Sequence, residues 1–186
     1  YSVQGPSRFG RDDELALDNQ AEVVSQVWLK MEFGVLGAQD MYVPAVGLAA
    51  VQQVYIDYQG QEPERFSRHW LNVYNNTHVP VHMREKEWIG LFDTDAELRE
   101  WSQTGQDGNA LYCRPLYVPL PFFFHRNHKQ PLPAVALFGN KPKLHVELES
   151  FANLTYGTAS GATDKSGATS STSSPNLQMS LVANRI

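Results

Sequence analysis

Apolar and polar positions alternate along much of this chain, most clearly between Arg114 and Phe138, which reads RPLYVPLPFFFHRNHKQPLPAVALF. Leu116, Val118, Leu120, Phe122 and Phe124 fall on every second position, the spacing of a strand with one buried face. The prolines stand at 115, 119 and 121, all odd. Successive backbone N–H groups of a strand point to opposite sides within the sheet plane, so the donors missing at these prolines line one edge only. Proline is tolerated at sheet edges and argues against a central position. The pattern therefore predicts an edge strand running to Phe124, facing a large core and blunted against pairing with a stranger. A Pro-rich irregular loop is the competing reading, but a loop has no use for five large hydrophobes at alternate positions.

The same period recurs along the chain. Tyr1 to Gln4 reads as the tail of a strand ended by Gly5-Pro6, and Glu14 to Leu17 alternates before the turn-like Asp18-Asn19-Gln20. From Ala21 a long strand is expected, with Val23, Ser25, Val27, Leu29, Met31 and Phe33 on one face. Gly34 to Gly47 reads as a loop. Val51 to Gln59 alternates again, Gly60 turns the chain, and Glu64 to Ser67 returns as a partner strand. His69 to Tyr74 places Trp70, Val73 and Tyr74 at i, i+3, i+4, a short helix laid on the sheet through those residues. Within the charged stretch Val79 to Ala110, Thr94 and Glu97 have capping-box spacing and predict helical turns to about Ser102. Leu132 to Phe138 reads as a compact apolar turn or short helix. Lys143 to Ser150 turns Leu144, Val146 and Leu148 inward. Gly157 to Pro175 is low-complexity Gly, Ser, Thr and Ala, an exposed loop that lacks the apolar surface needed to order it. Leu177, Met179, Leu181 and Ala183 then supply a last strand to the same core.

Seven or eight short strands with long loops predict one all-β domain over residues 1–186, an antiparallel two-sheet sandwich. Composition agrees: the chain is 42% hydrophobic, with 13 Gly, 11 Pro, 9 Phe, 8 Tyr and 4 Trp. Net charge is −5 with 15 Lys and Arg and no basic cluster, which disfavours a nucleic-acid partner bound through phosphates. The single cysteine, Cys113, leaves no internal disulfide and no Cys-rich zinc site. The longest apolar run, Val43 to Val51, is too short for a transmembrane helix. The first residue is Tyr1, in what reads as mid-strand, so a processed or trimmed piece of a longer protein is expected.

The search for chemistry ends without a catalytic, cofactor or metal site. His125 and His128 are three apart after the proline strand, but the commonest metal-binding sandwich uses a His-x-His pair followed by Glu, and no acidic residue follows here until Glu147; a solvated turn is expected. His78 and His82 flank Pro80 in a loop, while His69 and His145 are expected on element surfaces. Glu85, Glu87, Asp93, Asp95, Glu97 and Glu100 form an acidic run interleaved with Arg84, Lys86 and Arg99, which reads as a solvated face rather than a pair of hydrolytic carboxylates. No Gly-x-Ser-x-Gly elbow and no Gly-rich phosphate loop occurs. Asn75-Asn76-Thr77 and Asn153-Leu154-Thr155 are glycosylation triplets that matter only in a secretory pathway.

PLYVPLPFFFHRNHKQPLPAVALF, followed by KLHVELES, resembles the signature of the major capsid proteins of nucleocytoplasmic large DNA viruses. DNQAEVVSQVWLKMEF, VQQVYIDYQGQEPERF, HWLNVYNN and LQMSLVANRI resemble further pieces of that family in its order, so the likeness covers nearly the whole chain. It implies an antiparallel eight-stranded jelly roll of two four-stranded sheets with short helices in the loops, the first of two tandem barrels. It further implies a structural protein without catalysis, metal or cofactor. Its partners would be two more copies in a pseudo-hexagonal trimer, neighbouring capsomers of an icosahedral shell, minor capsid proteins and an internal viral membrane. The site of work would be the virion, assembled in the host cytoplasm, with the loops Gly34 to Gly47, Val79 to Ala110 and Ala152 to Pro175 making trimer contacts and outer surface. The alternative is a lectin-like sandwich that binds carbohydrate through Trp88 or Trp101.

Overall fold

The structure is a computed structural model that describes residues 9–16, 23–37, 40–78, 86–104, 112–127, 129–137, 142–157 and 177–185. Nine strands are described: β1 (Asp12–Ala16), β2 (Val24–Phe33), β3 (Asp40–Tyr42), β4 (Val51–Tyr58), β5 (Gln61–Ser67), β6 (Leu116–Pro119), β7 (Lys143–Leu148), β8 (Thr155–Gly157) and β9 (Leu177–Arg185). They form a four-stranded sheet in the order β1-β7-β4-β5, a three-stranded sheet in the order β6-β2-β9, and a two-stranded ribbon β3-β8. Every pairing between these strands is antiparallel. The helices α1 (Val46–Ala50), α2 (Arg68–Thr77), α3 (Asp95–Gln103) and α4 (Phe123–Arg126) sit in the connections. This is the all-β antiparallel sandwich that the alternation predicts, of the jelly-roll type that the family resemblance implies. The strand tail at Tyr1 to Gln4, the Asp18-Asn19-Gln20 turn, and the low-complexity loop beyond Gly157 lie outside the described residues.

The proline strand is an edge strand. Within the described residues β6 pairs with β2 alone, with Val118 opposite Leu29 and Leu116 opposite Met31. The Leu120 N–H donates to the Val27 carbonyl at 3.1 Å, so even-numbered donors face β2. The odd positions, Pro115, Tyr117, Pro119 and Pro121, face away, and only Tyr117 among them keeps a donor. The strand is shorter than expected, however. It ends at Pro119, the Phe122 N–H folds back on the Leu120 carbonyl at 2.9 Å, and Phe123–Arg126 forms the helical turn α4. Leu116, Val118, Leu120, Phe122 and Phe124 are all buried, so the alternation located the core face correctly while overrunning the strand. With Pro119 and Pro121 unable to donate, the helical turn satisfies the backbone that the ladder cannot.

Glu64 of β5 makes that turn possible. Its Oε2 accepts the Phe123 N–H at 2.8 Å, and its other carboxylate oxygen accepts from Arg126, whose guanidinium lies over the Phe66 ring. A residue of the four-stranded sheet thus holds the helical turn that leaves the three-stranded one.

The β4–β5 hairpin turns on Gln59 and Gly60 with φ of 56° and 77°, the doubly left-handed backbone of a tight two-residue hairpin. Ser67 caps α2 by accepting the Trp70 N–H, and Thr94 caps α3 by accepting the Glu97 N–H, as the capping-box spacing predicts. Two expectations are corrected. The segment read as a loop from Gly34 to Gly47 contains β3 and the start of α1. β3 is three residues long and its partner β8 lies more than a hundred residues away, so no local period marks it. In α2 the buried positions are Leu71 and Asn75; Trp70 and Val73 face solvent. The Ser67 cap sets the phase of the helix, and the inward stripe includes an asparagine that an apolar pattern does not count.

Candidate interaction surfaces

The residues weighed for chemistry are spread over structural tasks. His125 is half-buried: its Nδ1 lies 3.3 Å from the Val27 N and 3.2 Å from the Val27 O, and its ring meets Trp28 edge-on. It fastens α4 to β2. His128 and His82 lie outside the described residues. His145 stacks flat on Tyr55 at 4.7 Å and its Nδ1 lies 3.3 Å from Asp12 Oδ2. His78 stacks on Tyr74, and His69 is exposed. Among the described residues no three His, Cys, Asp or Glu side chains converge as a metal would require. Burial pushes the Cys113 thiol up to about 12, so it stays protonated and unreactive. Of the acidic run, Asp95 and Glu97 sit in the first turn of α3, where the helix dipole favours them. Asn75 is buried and Asn153 is exposed, its Nδ2 donating to Glu149 at 2.9 Å.

Trp101 is not available to a carbohydrate. It is 6% exposed, packs against Phe33, Tyr42 and Phe92, and donates its Nε1–H to the Arg114 carbonyl at 3.1 Å. Trp88 is 46% exposed and leans on Tyr117 of β6 at 5.7 Å.

What the geometry does offer is surface. The outer face of the four-stranded sheet carries a polar row: Glu14 pairs opposite His145, His145 opposite Tyr55, and Tyr55 opposite Arg65, whose guanidinium covers the Tyr55 ring at 4.5 Å. The outer face of the three-stranded sheet is different. Pro119, Trp28 and Val182 lie in one row across its three strands, and the charges further along the same face of β2, Lys30 and Glu32, pair with each other at 2.7 Å. The Tyr117–Trp88 contact continues the apolar strip off the sheet onto the 3-10 turn Lys86–Ile89. With Val182 and Trp88 exposed and Trp28 and Pro119 half-buried between them, this strip is a candidate contact surface.

A family model described as the major capsid protein N-terminus matches residues 2–184. The chain belongs to this family. Among curated relatives, the major capsid protein of Frog virus 3 (isolate Goorha) is 27% identical over 163 residues, covering 82% of this chain and 35% of that protein. The major capsid protein of Pyramimonas orientalis virus is 24% identical over 168 residues, covering 90% of this chain and 40% of that protein. The chain thus spans little more than a third of the relatives it matches. Among solved structures, PBCV-1 VP54, fitted into a reconstruction of the virophage Sputnik, superposes with a TM-score of 0.60 at 18% identity, covering 97% of this chain and 39% of that one. The Faustovirus major capsid protein superposes with a TM-score of 0.56 at 10% identity, over 84% of this chain and 42% of that one. At these identities the superpositions establish the fold.

For a capsid-family barrel the features that matter are the faces just described, and the sequence revealed them unevenly. The apolar row was within reach, since Trp28 and Val182 interrupt otherwise polar positions on the outward faces of their strands. The Trp88 strip was not, because a 3-10 turn carries no period.

Proposed function

We propose that this chain is the N-terminal jelly roll of a large-DNA-virus major capsid protein, a structural rather than catalytic unit that works by self-association. The observation that carries this reading is the family match over residues 2–184, which reaches from before β1 to the penultimate residue of β9. The relatives are named as capsid proteins, and a neutral apolar strip beside a polar sheet face is what a barrel packed against further barrels requires. Residues 1–186 act as one domain. The full-length protein forms trimers of pseudo-hexagonal outline that tile an icosahedral shell in the virion, assembled in the host cytoplasm, with minor capsid proteins and an internal membrane on the inner side. Negative-stain imaging of the purified full-length protein tests this: six-cornered capsomers are expected, and isolated two-lobed particles at micromolar concentration would contradict it.

A further inference from the structure

We draw no further inference here: the strongest candidate, the exposed Trp70–Val73 face of α2, carries nothing because its cation Arg68 is already paired with Glu149 and nothing in the structure shows what covers the face.

Discussion

The two sheets of this barrel finish in opposite ways. On the β6 side the chain is packed without tolerance: Gly90 has φ +79°, and a Cβ there would meet Val46 Cγ1 at 2.9 Å and Leu116 Cδ1 at 3.1 Å. Gly47 faces the same junction, where a Cβ would come 2.9 Å from the Ile89 carbonyl oxygen and 3.0 Å from Val118 Cγ2. On the outer face of the four-stranded sheet, the exposed Arg65 and Asp12 flank the half-buried Tyr55 and His145 in a polar ladder. The difference teaches where stability resides. Close backbone approach and buried rings fix the edge strand, while the polar ladder sets register and solubility and contributes little energy.

The comparison breaks most readily in the core under β6. Phe122 is fully buried against Phe66 and Phe124, and Phe122→Ala is expected to cost about 3–5 kcal/mol in chemical denaturation. Gly90→Ala adds a left-handed alanine to an overpacked contact and should cost about 2–4 kcal/mol; an unchanged melting temperature would show that the junction can open. Glu64→Ala removes the acceptor of the Phe123 N–H and the partner of Arg126, for an expected loss of about 1–3 kcal/mol by the same measurement.

Smaller effects sharpen the other side. The hydrogen bond from Asn153, with the Ser150 N–H and Arg68 behind it, holds the Glu149 carboxyl below its ordinary value of 4.5 despite partial burial. A carboxyl depressed in the folded state stabilises the fold above its unfolded value and loses that contribution as pH falls through the folded one. Glu149→Gln should therefore melt slightly below the unmutated protein at neutral pH, and the gap should close under acid. Smallest of all, Arg65→Ala, on the exposed ladder, should leave the melting temperature within error, and a clear drop would mean that the ladder matters more than its exposure indicates.

Much of this was legible in the sequence because β-alternation reports burial directly. Val27, Leu29, Met31 and Phe33, then Leu144, Val146 and Leu148, then Leu177, Met179 and Leu181 all lie in the core as their spacing predicts. The fence of odd-numbered prolines revealed the edge of the sheet before any coordinate did. What escaped was set by tertiary context. The end of β6 depends on Glu64 from another sheet, the inward face of α2 depends on its cap, and β3 depends on a partner distant in the chain. The exposed Trp88 likewise belongs to a 3-10 turn, a segment whose residues show no period.

The central claim is that this barrel exists to be packed against copies of itself. Light scattering on the eluted full-length protein tests that most directly: a mass of three chains, stable on dilution through the micromolar range, is the predicted result. A single-chain mass throughout that range would contradict it.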